Sequence, residues 1–326
     1  MSLRDSLSKY AVYRRALFSY IGLVAIEVVA ISVVLFVACR RQTMDDIARG
    51  TEALLEQTAY GIDLVAEQVR FVGNALLERR EIVTMLYART TNRYDEYQAA
   101  LTLDGVKGIY PFIRFVAVYN HATGRYVNRA GLTAADEADF INDQLNAGGS
   151  GFVTTQLRSV TFPWDTEGES VPVVSFVLNP NSRFLSPPES FMVINVDVAY
   201  IEQLTAALSV GVDSDVVVVT REGRIVASSE DRGFLSGYPI ELPAVSVSGG
   251  MQSGSFERPS ARGRRLVSYA ATVAFDWLVL SDRGVREIAS GTTVLARVTI
   301  LASLAIALAG AVVALLVTNA IYSPLG

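Results

Sequence analysis

Cysteine and histidine are almost absent from this chain, which has one residue of each type among 326, Cys39 and His121. A single cysteine cannot form a disulfide within the chain, and no Cys or His spacing matches a zinc site. A Ser-His-Asp or Cys-His nucleophile would have to use His121, which lies in the turn-like segment Asn120–Gly124. The composition therefore argues against hydrolase chemistry and against a zinc site, and we expect no cofactor.

A surplus of positive charge is also missing, since 28 Lys and Arg residues stand against 33 Asp and Glu residues, a net charge of −5. Binding to nucleic-acid phosphates needs a clustered basic face, so we expect no nucleic-acid partner for this portion. Hydrophobic residues make up 51% of the chain but are concentrated at its two ends. The stretch between Arg40 and Arg297 is long enough for two soluble modules of average size.

Two long apolar runs are present, and each is long enough to cross a lipid bilayer as a helix. The run at 16–39 contains one charge, Glu27, and lies between two arginine pairs, whereas the run at Val298–Tyr322 contains no charge. At about 1.5 Å per residue, both exceed the roughly 30 Å hydrocarbon core. They predict a transmembrane helix at 16–39 and a linker with a second transmembrane helix at 286–322. Small residues recur every four positions in the second run, which favours close packing between helices.

This topology predicts a multi-pass protein of the cell membrane, with residues 1–15 as a cytoplasmic tail, the middle outside and both termini inside. Basic residues near the first run favour this orientation only slightly. A cleaved signal peptide normally has an apolar region of about 7–15 residues, and a lipoprotein box would use Cys39. The length of the run disfavours both. Residues 323–326 are similar to the start of a HAMP-type linker, so we expect the output module to lie outside this sequence.

Residues 40–100 are predicted to form a water-compatible helical stalk. Apolar or small residues recur there every three or four positions, at Met44, Ile47, Thr51, Leu54 and Thr58 and then at Ile62, Val65, Val69, Val72 and Leu76. The extra four-residue step from Thr58 to Ile62 indicates a stutter that would unwind a supercoil. Such a stripe can pair with a second copy, pack along a sheet, or belong to a simple core helix. The polar residues 89–95 are expected to turn the chain.

Strand-like alternation begins after Tyr110 and occurs twice. The segments PFIRFVAVYNHATGRYVNRAG and SDVVVVTREGRIVASSED each predict two strands joined by a turn, at Asn120–Gly124 and at Arg221–Gly223. Aligning Gly124 with Gly223 nearly superposes the flanking valines, and this weak internal repeat predicts two modules built alike. We place the first module at 101–208 and the second at 209–285. Each would contain an antiparallel sheet, so the expected fold class is α+β.

This order of elements resembles the double Cache family of extracytoplasmic sensor domains. The matching stretches are FVAVYNHATGRYVN, VVSFVLNP, MVINVDVAYIEQL, VVVVTREGRIVASSE and RLVSYAATVAFDWLVLSD. The resemblance implies two PAS-like sheets stacked along the N-terminal stalk helix, with ligand bound in the membrane-distal first module. The combination is also similar to the sensor half of membrane AraC-type regulators and YesM-type histidine kinases. It therefore implies signal transduction to a transcription regulator or within a two-component system.

Candidate ligand contacts lie on one face of the predicted first sheet. Because alternate residues of a strand share a face, Ser175, Asn195 and Asp197 lie opposite the apolar faces of their strands. Pockets are mostly apolar with a few converging polar groups, and the remaining groups of such a site would come from Tyr119, Arg158, Trp164 and Asp165.

The resemblance implies that Asp197 binds an ammonium group, as a carboxylate near this strand does in amino-acid sensors of the family. The Arg-x-Trp-Tyr element of those sensors is absent here. The ligand class therefore stays open between an amino acid, a sugar, an oligosaccharide and another solute.

The sequence thus predicts a homodimeric transmembrane receptor, paired through its stalk and transmembrane helices, that binds a small extracellular solute. Binding would move the second transmembrane helix and so reach the cytoplasmic output. We do not expect this chain itself to be an enzyme. The alternative is a membrane-anchored module that senses a partner protein instead of a solute.

Overall fold

The structure is a computed structural model, and it describes residues 3–90, 92–146, 153–163, 170–180, 190–212, 215–230, 232–238, 253–260, 263–285 and parts of 298–313. The helices in these ranges are α1 (Leu3–Leu77), α2 (Arg80–Tyr87), α3 (Arg93–Ile109), α4 (Ala138–Asn146) and α5 (Val198–Val212). The strands are β1 (Ile113–Asn120), β2 (Arg125–Asn128), β3 (Val153–Thr161), β4 (Ser170–Leu178), β5 (Ser190–Asp197), β6 (Asp215–Val219), β7 (Ile225–Ser228), β8 (Ser253–Ser260), β9 (Gly263–Ala271) and β10 (Leu278–Gly284).

The strands form two five-stranded antiparallel sheets that share one topology. The order is β2-β1-β5-β4-β3 in the first sheet and β7-β6-β10-β9-β8 in the second. In each sheet the strand that comes last in the chain, β5 or β10, lies in the centre. The first two strands of that sheet lie on one side of it, and the third and fourth lie on the other. The α+β class, the two PAS-like sheets and the long N-terminal helix are therefore confirmed, and the weak sequence repeat corresponds to a repeat in topology.

Both predicted hairpin turns place a glycine where the backbone needs a positive φ. Gly124 has φ +63° between β1 and β2, and Gly223 has φ +77° between β6 and β7. Each glycine N–H closes its turn on a carbonyl three residues earlier, that of His121 at 3.4 Å and that of Thr220 at 2.9 Å. Only glycine enters this region without a steric penalty on Cβ, which explains why the two glycines align in the repeat.

Compactness divides the chain into two units, one made of residues 51–256 and 267–282, the other of residues 1–50, 257–266 and 283–326. The predicted module boundary between 208 and 209 stays a prediction, because both sides of it belong to the same compact unit. In the second unit, residues around Ile47 on α1 pack against the buried Leu266 and Val285. In the same unit, the Ser32 and Ser303 hydroxyls lie 2.5 Å apart, within hydrogen-bonding distance.

No helix among the described residues combines the length and the hydrophobicity needed to cross a membrane. The spans at 16–39 and 286–322 therefore stay predictions. Most of the second one, together with residues 323–326, lies outside the described residues.

The main hydrophobic core lies between the 51–77 part of α1 and one face of each sheet. Its members alternate along the strands, as the period of two requires, and include Val116 and Val118 of β1, Val174 and Phe176 of β4, and Val216 and Val218 of β6. Of the alternatives for the stalk stripe, the structure shows packing along a sheet for its buried part.

The stripe on α1 differs from the predicted one by a single position. Leu55 and Ala59 are fully buried, whereas Leu54 is only half-buried. Ile47, Thr51, Leu55, Thr58 and Ile62 follow one another by steps of four, four, three and four residues. The extra four-residue step therefore remains, but it lies at Thr51–Leu55 and not at Thr58–Ile62.

One glycine on α1 sets how closely the helix approaches the first sheet. A Cβ built on Gly73 would lie 2.2 Å from one methyl group of Leu178 and 3.3 Å from its Cγ. Leu178 is fully buried at the end of β4, so its side chain has little room to move away.

We expect Gly73→Ala to lower the free energy of unfolding by about 1–3 kcal/mol, the usual effect of overpacking a filled core. Gly105→Ala on α3 is the matched control, because nothing lies within 4 Å of its Cβ position and alanine in a helix is favoured over glycine by about 0.5–1 kcal/mol. Urea denaturation of the purified chain measures both effects. Equal behaviour of the two variants would contradict the close approach.

Candidate ligand-binding site

The candidate site lies on the face of the first sheet that points away from α1. This face carries a second hydrophobic cluster, with Phe115, Tyr119 and Phe191 among its buried members. Two buried polar residues interrupt it, Ser175 on β4 and Asn195 on β5, and the strand register places them directly opposite each other. Arg158 on β3 is two positions beyond the partner of Ser175 and projects from the same face. Three of the predicted site residues therefore converge.

Hydrogen bonds join these three residues into one cluster around the Arg158 guanidinium. Its Nε donates to Ser175 Oγ at 2.7 Å, and its Nη2 donates to Asn195 Oδ1 at 3.1 Å. The Ser175 hydroxyl also donates to Asn195 Oδ1, at 2.6 Å. The guanidinium lies over the ring of Phe140, 3.8 Å from its centroid. An arginine placed in this way is held by both hydrogen bonds and a cation–π contact.

The negative partner of Arg158 is Glu137, whose Oε2 accepts from Nη1 at 2.5 Å. The two side chains are 11% and 4% exposed, so this ion pair is buried. Burial raises the pKa of Glu137 above its ordinary value, while the charge and hydrogen bond of Arg158 act in the opposite direction. Removal of either partner would leave a buried charge without compensation.

Two polar groups beside the pair are buried without a partner. Among the described residues, the Tyr126 hydroxyl and the Asn195 side-chain NH2 make no hydrogen bond. Burial is the main cause that raises the pKa of Tyr126, and the negative charge of Glu137 adds to it. The hydroxyl therefore stays protonated and can donate a hydrogen bond. Because most buried polar groups in folded proteins are paired, two free donors at one place are typical of a site that binds polar groups from outside the chain.

Glu137, Phe140 and Tyr126 are site residues that the sequence analysis did not identify. A local signal does precede Glu137. The Asp136 carboxylate accepts from the backbone N–H and hydroxyl of Thr133, and the Asp136 N–H bonds back to the Thr133 hydroxyl at 3.3 Å. This is a capping box in the turn before α4, and the residues after it, Glu137 and Phe140, both contact Arg158 of β3.

The other predicted site residues take different places. Asp197 lies at the end of β5, where its carboxylate accepts from the Ala199 N–H at 3.0 Å and pairs with Arg114 at 3.5 Å. Tyr119 packs on Phe191 at 5.2 Å between ring centroids, and Phe191 in turn contacts Phe140. Tyr119 is thus two aromatic rings away from Arg158. Trp164 and Asp165 lie outside the described residues.

No group of three or more His, Cys, Asp or Glu side chains suited to a metal occurs in the part of the chain that the structure describes.

We expect Arg158→Met alone to destabilise the chain by about 3–5 kcal/mol, since it leaves the Glu137 carboxylate buried and unpaired. The double variant Glu137→Leu/Arg158→Met should recover most of that loss, because the uncompensated charge is gone. Urea denaturation of the four proteins gives the interaction energy. Losses that simply add in the double variant would mean that the two side chains do not form a pair.

The pH dependence provides a second readout of the same pair. A carboxyl whose pKa is raised by folding binds its proton more tightly in the folded state, so the free energy of unfolding falls as the pH rises from its ordinary value of 4.5 through the raised value. Arg158→Met should enlarge this fall, because the attraction that holds the Glu137 pKa down is removed. Glu137→Gln should abolish it.

No protein-family model and no curated protein sequence matches the chain. Solved structures do match. The extracellular domain of a predicted histidine kinase, vpHK1S-Z8, aligns with a TM-score of 0.54 at 12% identity, over 78% of this chain and 96% of that one. The domain of a sensory box/GGDEF family protein from Vibrio parahaemolyticus aligns with a TM-score of 0.53 at 12% identity, over 76% and 99%.

The sensory domain of the Campylobacter jejuni chemoreceptor Tlp3, with isoleucine bound, aligns with a TM-score of 0.50 at 10% identity, over 76% and 97%. At such identities the likeness concerns the fold. The resemblance to double Cache sensors is confirmed at that level, because the chain has the fold of the extracellular sensory domains of histidine kinases and chemoreceptors.

Proposed function

We propose that this chain is a transmembrane signal receptor whose first sheet binds a small extracellular solute. The observation that carries the proposal is the buried cluster of Arg158, Glu137, Ser175 and Asn195 on an otherwise apolar face. Small-molecule sites usually combine apolar surroundings with a few convergent polar groups, and the cluster has this composition. The fold shared with extracellular sensory domains supports the same function.

The chemistry of the cluster favours a solute that carries both a negative and a positive group. A ligand carboxylate that takes over Arg158 would leave Glu137 buried without its counter-charge. A ligand ammonium group placed beside Glu137 would restore the balance, and the free donors of Tyr126 and Asn195 would bind further ligand oxygens. A zwitterionic solute meets all of these conditions. The chemoreceptor Tlp3 with isoleucine bound makes amino acids the first class to test.

We place Asp197 at the edge of this site, because its carboxylate already pairs with Arg114 and accepts a hydrogen bond from the start of α5.

Amino acids, amines, organic acids and sugars should be screened by thermal shift on the purified chain. A specific ligand at about 100 times its Kd stabilises the folded state by about 2.7 kcal/mol, enough to raise the melting temperature by several degrees. Arg158→Met should abolish the shift. The matched control is Arg125→Met, which removes an arginine from an exposed pair with Glu96 and should leave the shift unchanged. A shift that survives in Arg158→Met would place the solute elsewhere. If no solute of any class shifts the wild-type chain, a partner protein becomes the better candidate for the signal.

The rest of the proposal concerns the membrane. We infer that the runs at 16–39 and 298–322 cross it, that two copies pair through the stalk and these helices, and that the second sheet passes the change in the first sheet to the second span. The sequence supports the spans through the length of the runs and their low charge. Exposed apolar side chains of α1, among them Leu23, Ile26 and Val29, are suited to contact with lipid.

Protease added to intact cells should cleave the middle portion of the chain, whereas a tag placed before residue 16 should be cleaved only after the cells are opened. This outcome follows from a central domain outside and an N-terminus inside. Immunoblotting against both regions measures it, with a cytoplasmic protein as the control for intact membranes. Protection of the middle portion in intact cells would reverse the orientation and remove the basis for an extracellular sensor.

A further inference from the structure

A cavity of about 240 Å³ on the first sheet lies between α3, β1 and the chain that follows β2. It is separate from the Arg158 cluster, and none of the residues of that cluster lines it. Its apolar walls are formed largely by Phe115 and Phe162, whose rings pack edge to face at 5.8 Å. Its charged lining residues come from three different elements: Asp104 and Lys107 from α3, Arg114 from β1, and Arg129 from the end of the β2 segment.

The lining of this cavity carries more positive than negative charge. Arg129 lies 3.8 Å from Asp104, and the two side chains are 46% and 49% exposed, so this pair is weak. Arg114 pairs with Asp197 at 3.5 Å and lies over the ring of Phe162 at 5.4 Å. Lys107 takes part in no ion pair within the described part of the chain. The lining therefore holds three cations, Lys107, Arg114 and Arg129, against one carboxylate, that of Asp104. The Asp197 carboxylate lies outside the lining and also caps α5.

We propose that this cavity binds a compact anion with two or more negative charges. The charge requirement follows from three cationic side chains that converge from separate elements on one space. The size requirement follows from the volume, which lies below the roughly 300–1,000 Å³ of sites for drug-sized ligands. Di- and tricarboxylates and phosphate share this chemistry.

An anion in this cavity would also act on β5. Arg114 would turn from Asp197 to the ligand. Asp197 lies two positions after Asn195 of the Arg158 cluster, on the same strand and the same face. The cavity is thus placed to make solute binding depend on a second, anionic signal. This differs from the Arg158 cluster, where Glu137 balances the arginine charge.

Isothermal titration calorimetry of the purified chain with inorganic phosphate, malate and citrate, each at the same ionic strength set with sodium chloride, tests the proposal. We expect at least one of these probes to bind. The probe with the lowest Kd identifies the ligand class as phosphate or carboxylate. Lys107→Gln/Arg129→Gln should weaken that binding at least tenfold. Both side chains are exposed, so the double variant should fold as the wild type does.

The matched control is Arg49→Gln/Arg264→Gln, which removes the same number of positive charges at exposed positions outside the cavity. It should bind the probe as tightly as the wild type. An affinity that falls equally in both double variants would show only a general effect of net charge and would overturn the proposal. So would the absence of binding for all three probes at millimolar concentration.

Discussion

The packing of α1 against the two sheets is the constraint on which the rest of the fold depends. Each sheet buries one face on this helix, and residues of both sheets belong to the same core as Ile62, Val65 and Val69. The helix also satisfies polar groups of the second sheet. The Asp63 carboxylate accepts from the backbone N–H groups of Val273 and Ala274, at distances of 2.8–3.1 Å. One stripe of α1 thus covers the inner face of each sheet. The Arg158 cluster lies on the opposite face of the first sheet, which α1 does not cover.

The inner faces connect the Arg158 cluster with the second sheet. Phe176 follows Ser175 on β4 and points to the opposite face, where its ring contacts Phe275 at 5.5 Å. Phe275 stacks on Trp277 at 4.2 Å, just after the loop that Asp63 holds. A shift of β4 caused at Ser175 would therefore act directly on the loop before β10. Contiguous contacts transmit a signal only when the ligand binds two arrangements of such an element with different affinity. On the proposed function, β4 is the element that would need two arrangements.

Sequence periodicity predicted most of the strands but not α4, β3 or the partner of Arg158. The alternation in β4 and β5 correctly separated Ser175 and Asn195 from their apolar neighbours, and Gly124 and Gly223 marked both hairpins, because these signals are local. The partner of Arg158 was not identified, since Glu137 precedes it by 21 residues and only the docking of α4 on β3 brings the two together. The resemblance pointed to Asp197, and its role as a ligand contact stays a prediction. Its carboxylate pairs with Arg114, on a strand whose pairing with β5 shifts register at this position. No local pattern encodes such a shift.

The Arg158–Glu137 pair is hard to explain as a device for stability. A buried ion pair loses hydration on both sides, and replacement by packed hydrophobic residues is often neutral or favourable by about 1–4 kcal/mol. The face around it consists of Phe, Val and Tyr side chains that would accommodate such a replacement. The free donors of Tyr126 and Asn195 add a further unfavourable contribution at the same place. Departures from the rules of packing that collect at one point of an otherwise consistent core are expected where function requires them. On the proposed function, the two charges hold each other until a ligand with the opposite arrangement of charges replaces the contact.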